Sequence, residues 1–281
     1  MRLLNVLTYI TWDIDPNIFT LPIINHPLRW YGLFFALSFL IGQQIMSFIY
    51  KKEGRPAKEI DRLAIYLAIG TIAGARLGHV LFYDPVYYFQ NPEKIIVIWE
   101  GGLASHGGVI GILIAIYLFA RKTNVSYLWV LDRVSIIAAL TFGMIRLGNL
   151  MNSEIIGTPT DLPWGFIFTS VDNIPRHPAQ LYEAIYYFMW FMFLFWFWFK
   201  QKDRMKNGFL FGWSLIVLFS LRFVNEFFKL NQEQFEDGMI LNMGQILSIP
   251  FILAGVEILI LNMGKKQETI STGKIVMGGR Q

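Results

Sequence analysis

The sequence predicts an all-α, polytopic membrane protein with about seven transmembrane helices, the N-terminus outside and the C-terminus cytoplasmic. Three observations predict it. Hydrophobic residues make up 54% of the 281 residues and charged residues only 16%, with a mean hydropathy of +0.45; soluble domains carry roughly 25% charge. Apolar stretches recur at about 30–50, 63–83, 104–120, 134–151, 180–199, 208–228 and 239–262, each near the ~20 residues that cross a bilayer. Finally, the basic residues are lopsided. The segments 51–62, 121–133, 200–206 and 263–281 hold 16 of the 24 Lys and Arg, and the alternate segments 1–29, 84–103, 151–178 and 229–238 hold 5. The basic-rich side is the cytoplasmic one.

Each element follows from local chemistry. Residues 1–28 lack a basic region followed by an apolar core and a small-residue cleavage site, so the first span serves as an uncleaved insertion signal. Trp30 and Tyr31 head that span, where aromatic rings anchor at the interface. The second span is interrupted by Gly74-Ala75-Arg76-Leu77-Gly78. The third is the shortest and is entered through Gly101-Gly102-Leu103-Ala104-Ser105-His106-Gly107-Gly108. The fourth carries Arg146 near its outer end, and an outer loop region of about 151–178 follows. His177-Pro178 opens the fifth, since proline suits the first turn of a helix. Gln180 and Glu183 lie at its start, with Trp190, Trp196 and Trp198 expected as anchors toward the opposite face. The sixth carries Arg222 and Glu226, and the seventh contains Met243-Gly244-Gln245-Ile246-Leu247-Ser248-Ile249-Pro250. Residues 1–263 read as one membrane domain, and 264–281, rich in Gly, Lys, Gln, Ser and Thr, as a flexible cytoplasmic tail.

Composition also excludes several functions. The net charge of +4 reflects the loop asymmetry and is no argument for nucleic acid. The absence of cysteine removes disulfides, thiolate catalysis and Cys-ligated metal; any thiol chemistry must use a thiol of the substrate. No glycine-rich stretch ends in G-K-[ST], which excludes a nucleotide P-loop, and the four histidines are scattered without metal-site spacing. No metal and no cofactor is therefore expected.

Only Arg76, Arg146 and Arg222 among the basic residues lie within the spans. A charge there costs about 2.5–3.5 kcal/mol at a helix centre, so it is kept to hold something. Arg146 opens Arg146-Leu147-Gly148-Asn149-Leu150-Met151-Asn152-Ser153-Glu154-Ile155-Ile156-Gly157, which supplies donors and acceptors for a polar headgroup at the membrane boundary. Arg146 and Arg222 sit at the outer ends of their spans. Two guanidiniums facing one cavity repel unless an anion such as a lipid phosphate lies between them; alternatively each pairs with a nearby carboxylate, Glu154 for Arg146 and Glu226 for Arg222. Arg76, mid-span among glycines, reads as an internal tether to a carboxylate or carbonyl. His106 is either a satisfied hydrogen-bonding residue or a proton-transfer group, since histidine titrates near neutral pH.

The run R-x-G-N-x-x-N-x-E-x-x-G resembles the signature of the prolipoprotein diacylglyceryl transferase family. The resemblance extends to Arg29-Trp30-Tyr31-Gly32, the Gly74–Gly78 and Gly101–Gly108 runs, Arg176-His177-Pro178-Ala179-Gln180-Leu181-Tyr182-Glu183 and the Met243–Pro250 run, all in order. It departs where members usually carry Gly before the arginine and Phe after the first asparagine, here Ile145 and Leu150, and where many carry Ser or Thr, here Ala179. The resemblance implies a multi-pass enzyme of the bacterial inner membrane. Its partners are phosphatidylglycerol and a preprolipoprotein signal peptide with a lipobox cysteine. The cysteine thiolate attacks the glycerol carbon that bears the phosphate, a diacylglyceryl thioether forms, and glycerol phosphate leaves. By the same resemblance His106, Arg146 and Arg222 are catalytic. Tyr31, Asn149, Asn152, Glu154 and Gly157 join the two arginines in binding substrate, supported by Arg76, Gln180, Glu183 and Glu226.

A transporter for a lipid or small anion is the alternative reading. It would use the same intramembrane arginines, but many such folds show two related halves, and none is visible here. A serine protease is disfavoured because Ser105 lacks a G-x-S-x-G context. The charge asymmetry has a direct check: topology reporters fused at Gly54, Asn124, Asp203 and the C-terminus should all report cytoplasm. A periplasmic signal at Asn124 would mean that the third or fourth span is misdrawn.

Overall fold

The structure, a computed structural model, describes residues 9–21, 26–231, 236 and 238–263. Strand β1 (Ile10–Trp12) and the hairpin β2 (Asn17–Leu21) and β3 (His26–Arg29) lead into α1 (Trp30–Lys52). Helices α2 (Lys58–Phe82), α3 (Pro85–Gln90), α4 (Ser105–Thr123) and α5 (Tyr127–Met151) follow. Then come β4 (Phe166–Phe168), β5 (Pro175–Arg176), α6 (Ala179–Gln201), α7 (Phe209–Asn225) and α8 (Met243–Met263). The tail expected after residue 263 lies outside the described residues.

Six of the described helices are long and apolar enough to cross a membrane: Trp30–Lys52, Lys58–Phe82, Tyr127–Met151, Ala179–Gln201, Phe209–Phe228 and Met243–Asn262. The seventh expected stretch is not among them. The remaining stretch forms α4, whose first turn is Ser105-His106-Gly107-Gly108 and whose last carries Arg121 and Lys122. Polar residues at both ends, and glycine at the first, dilute its hydropathy. The all-α expectation describes the bundle but not the loops. There β1 pairs in parallel with β4 and β4 antiparallel with β5, and β2 pairs antiparallel with β3. These strands run two to five residues, too short for an alternating pattern to declare them.

Large apolar side chains point outward along the helices, among them Leu40, Ile69, Phe82 and Leu253. With no water to satisfy, such faces suit lipid. The hydrophobic core sits toward one end, where Ile49, Tyr50, Ile116, Phe119, Val130, Ile136, Leu194 and Trp198 pack together. A polar knot closes that end. Glu53 accepts from Arg133 Nη2 at 2.9 Å through both oxygens and from Trp198 Nε1. Asp132, fully buried, accepts the backbone N–H groups of Gly208 and Phe211 at 2.7 and 2.9 Å, satisfying donors that the first turn of α7 leaves open. Trp198 is therefore an internal hydrogen-bond donor and not the interface anchor expected; Trp190 likewise donates to Ser214 Oγ, while Trp196 stays exposed. A small second core of Leu150, Ile156, Phe166 and Phe168 with Trp12 and Leu181 seats the three-stranded sheet on the other end.

Helices α2 and α4 run antiparallel in glycine-to-glycine contact, Gly70 against Gly111 and Gly78 against Gly107. Small residues let helix backbones approach closely in a membrane, where lipid removes the hydrophobic drive to associate. A Cβ on Gly78 would stand 2.7 Å from Gly107 Cα, and one on Gly107 2.8 Å from Gly78 Cα. The neighbouring Gly108 faces ordinary space, its nearest would-be contact Ala75 Cβ at 3.6 Å. Gly107→Ala should therefore destabilise the detergent-solubilised protein by about 1–3 kcal/mol, the usual cost of overpacking, whereas Gly108→Ala should be close to neutral. Paired thermal unfolding curves check this; equal melting of the two variants would remove the close approach as a determinant of packing.

Candidate active site

The polar end of the bundle is built from the last turns of α5. Arg146 and Asn149 lie three residues apart on one helix face, and Arg146 Nη1 donates to Asn149 Oδ1 at 3.0 Å. Beyond the helix the chain doubles back through Ser153 and Ile155, both in the left-handed region at φ 53° and 57°. A β-branched residue there costs about 1–3 kcal/mol. The turn folds Glu154 onto the helix end: its N–H donates to the Asn149 carbonyl at 2.9 Å, and its carboxylate accepts from Asn149 Nδ2 at 3.1 Å and Asn152 Nδ2 at 2.9 Å. Gln180 Nε2 holds the Glu154 carbonyl from the start of α6.

Arg146 does not pair with Glu154, the partner its spacing suggested. Its Nε meets Glu183 Oε2 instead, because α6 enters the bundle beside α5 and turns Glu183 inward at its second turn. Glu183 is fully buried and also receives Lys229 Nζ at 2.8 Å. Lys229 in turn lies 2.9 Å from Glu226 Oε1, and Arg222 Nη2 stands 3.8 Å from that same oxygen. The result is a continuous row, Arg146–Glu183–Lys229–Glu226–Arg222, across α5, α6 and the end of α7. Lys229 is the member that sequence reasoning missed. It falls among the loop charges of segment 229–238, although its position three residues after Glu226 in an apolar Glu-Phe-Phe-Lys run is a signal.

Gly157 explains how Lys229 reaches the row. The Gly157 N–H donates to the His177 carbonyl at 3.0 Å, Thr158 N–H to the Phe228 carbonyl at 2.9 Å and Leu230 N–H to the Ile156 carbonyl at 3.2 Å. A Cβ on Gly157 would come within 2.7 Å of the Phe228 carbonyl oxygen, so only glycine lets the segments lie this close. His177, whose Nδ1 is 3.2 Å from Tyr182 Oη, has its pKa pushed down by burial. In the same loop the Arg176 guanidinium and the Ile174 N–H hold the Asp172 carboxyl below the usual carboxylate range. Tyr31 lies on α5 at Gly148, where a Cβ would stand 2.8 Å from Tyr31 Cδ2.

The structure thus brings together Tyr31, Arg146, Asn149, Asn152, Glu154, Gly157, Gln180, Glu183, Arg222 and Glu226. It does not bring Arg76 or His106 into contact with them. Arg76 is buried, and of the two partners expected, carboxylate or carbonyl, it holds carbonyls: Nε donates to Ile95 O at 2.8 Å, Nη1 to Gly101 O and Gly102 O at 2.6 and 3.0 Å, and Nη2 to Lys94 O and Val97 O at 2.5 and 3.2 Å. His106, at the start of α4, is exposed; its ring stacks on Tyr83 at 5.8 Å and meets Phe82 edge-on at 5.7 Å. Among the described residues it has no hydrogen-bond or ion-pair partner. No group of three or more His, Asp or Glu side chains capable of holding a metal occurs among the described residues.

The sequence profile described as prolipoprotein diacylglyceryl transferase matches residues 16–261, a range that includes every member of the ion-pair row. The chain belongs to that family. It is 49% identical over 257 residues to the phosphatidylglycerol–prolipoprotein diacylglyceryl transferase of Tolumonas auensis, covering 91% of this chain and 98% of the relative. The enzyme of the same name from Chloroherpeton thalassium is 48% identical over 261 residues, covering 92% and 97%. That from Porphyromonas gingivalis is 49% identical over 268 residues, covering 90% and 94%. As a prolipoprotein diacylglyceryl transferase family member built from apolar helices, the chain is a multi-pass membrane protein.

The ion-pair row has a stability consequence. Replacing Glu183 by Ala strands Arg146 and Lys229 in a dry site, and removing one partner of a buried pair costs about 3–5 kcal/mol. Glu183→Ala should lower the melting temperature in detergent well beyond Asp203→Ala, whose carboxylate is exposed at the other end. Equal melting temperatures would mean that Glu183 does not hold the row together.

Proposed function

We propose that this chain transfers the diacylglyceryl group of phosphatidylglycerol to the lipobox cysteine of a preprolipoprotein in the bacterial inner membrane. The S–H proton is lost, the thiolate attacks the glycerol carbon that carries the phosphate, and the C–O bond breaks with its electron pair on the phosphate oxygen. A thioether remains and glycerol phosphate departs. Family membership supports the reaction, as does the name its relatives carry. The observation that carries the reading is the row of buried charges ending in Arg222, the one cation in it whose side chain is a third exposed, at 32%.

In this reading Arg222, backed by Arg146, stabilises charge that accumulates on the departing phosphate, where donors in a site poor in water act most strongly. Tyr31, Asn149, Asn152, Glu154 and Gly157 shape the pocket that aligns the lipid ester with the thiol. His106 takes the proton from the thiol, which ionises with difficulty at neutral pH unaided. Its place on α4, apart from the arginines, fits a base on the peptide's side of the lipid. The topology belongs to the same proposal. Helix α4 is the seventh span, since its 19 residues extend about 28 Å and it runs antiparallel to α2 along its glycines. The N-terminus lies outside and the C-terminus in the cytoplasm, in keeping with the basic segments.

A thioether-forming assay with purified protein, phosphatidylglycerol and a lipobox peptide tests the reaction. Arg222→Ala should lose about 10²–10³-fold in kcat, the range seen when one charge-stabilising donor is removed; Arg222→Lys should recover part of it, lacking the planar fork. Near-normal turnover in Arg222→Ala would remove it from the mechanism. His106→Gln should lose about 10²–10⁴-fold and partly regain rate at high pH, as the substrate thiol ionises without help. A His106→Gln enzyme with wild-type rate and an unchanged pH profile would pass the base role to solvent or another residue.

A further inference from the structure

Lys229 belongs to none of the motifs that pointed to the transfer, and the reaction as described gives it no part. Its ammonium is nonetheless buried, with the side chain 1% exposed, and it touches two carboxylates. Glu226 is the contested one. Its Oε2 accepts from Asn242 Nδ2 at 3.2 Å. Its Oε1 faces two cations, Lys229 Nζ at 2.9 Å and Arg222 Nη2 at 3.8 Å. The nearer contact is a charge-assisted hydrogen bond; the farther is beyond hydrogen-bond length. Lys229 thus holds the carboxylate that Arg222, one turn away on the same helix, would otherwise take.

The row also sorts its members by exposure. The side chains of Glu183, Lys229 and Glu226 are 0%, 1% and 6% exposed, that of Arg146 is 13% and that of Arg222 is 32%. Three cations alternate with two carboxylates, and Glu154 stands beside the row on the amides of Asn149 and Asn152 rather than on a guanidinium. The cation left without a close carboxylate is Arg222, at the open end. Resting on the transferase reading, we propose that Lys229 is a positioning residue for the transfer. By occupying Glu226 it keeps that carboxylate from closing on Arg222, and so leaves the guanidinium to a phosphodiester.

Steady-state kinetics of the full-length protein in mixed micelles of phosphatidylglycerol, with a lipobox peptide, test this. Lys229→Met should raise the KM for phosphatidylglycerol about 10- to 100-fold, the scale of one lost charged hydrogen bond, with a smaller change in kcat; Lys229→Arg should keep most of the affinity. The decisive variant is Lys229→Met/Glu226→Gln, in which the competing carboxylate is gone as well. Its KM should return to within about 3-fold of wild type, a coupling that a packing role for Lys229 does not produce. A folded double variant as impaired as Lys229→Met would overturn the proposal. Should Lys229→Met fail to fold, Glu226→Gln alone decides: a KM no higher than wild type is expected, and a raised one contradicts the competition. A wild-type protein that forms no thioether would defeat the transferase reading instead. In that case retention of phosphatidylglycerol over phosphatidylethanolamine by the same variants, read by native mass spectrometry, tests Lys229 directly, and an unchanged preference overturns it.

Discussion

Glu183 is fully buried between two cations, Arg146 of α5 and Lys229 beyond α7, and the polar end of the molecule is organised around it. Either charge alone would be costly in this setting. Paired, they tie three segments that are distant in sequence and fix the guanidinium of Arg146 where its Nη1 can still reach Asn149. Asn149 then orients Glu154, so one carboxylate indirectly sets a chain of side chains on two elements. Breaking such a pair is far more costly than its net contribution to stability, because the partner is left charged and dry.

The two ends of the bundle divide the work. At one, an apolar core is closed by Asp132 on the start of α7 and by Glu53 on Arg133 and Trp198. Glu53, Asp132 and Arg133 there each face a partner within hydrogen-bond reach. At the other, glycines replace bulky residues at contacts between segments, as at Gly148 against Tyr31 and Gly157 against the Phe228 carbonyl, and polar groups fill the space. The left-handed turn at Ser153 and Ile155 is tolerated there because Asn149 and Gln180 hold the Glu154 backbone from two helices.

Much of this was legible in the sequence. Six of the spans follow from apolar length alone, and charge within a span is rare enough that Arg76, Arg146 and Arg222 declared themselves. Arg76, expected to tether a carboxylate or a carbonyl, holds backbone carbonyls. What failed to show was pairing across long separations. Local spacing offered Glu154 to Arg146, whereas the fold delivers Glu183, and nothing in the chain around Lys229 says that Gly157 will dock the Lys229 segment against the head of α6. Trp198 looked like an anchor because aromatic residues near a span's end usually are; its partner Glu53 comes from another helix. Helix α4 falls short on apolarity because Ser105, His106, Arg121 and Lys122 lie at its ends and its close contact with α2 is made by glycine, which adds no hydropathy.

On the proposed transferase reading, Glu183 serves the reaction through Arg146. A double-mutant cycle on kcat/KM for phosphatidylglycerol, using Arg146→Met, Glu183→Gln and the double variant, tests it most directly. If Glu183 acts by placing Arg146, its replacement should cost little once Arg146 is gone, and the coupling energy should reach about 1.5–3 kcal/mol, the upper range for residues in one network. Losses that add to within about 0.5 kcal/mol would mean that the two residues act independently, and would contradict the claim.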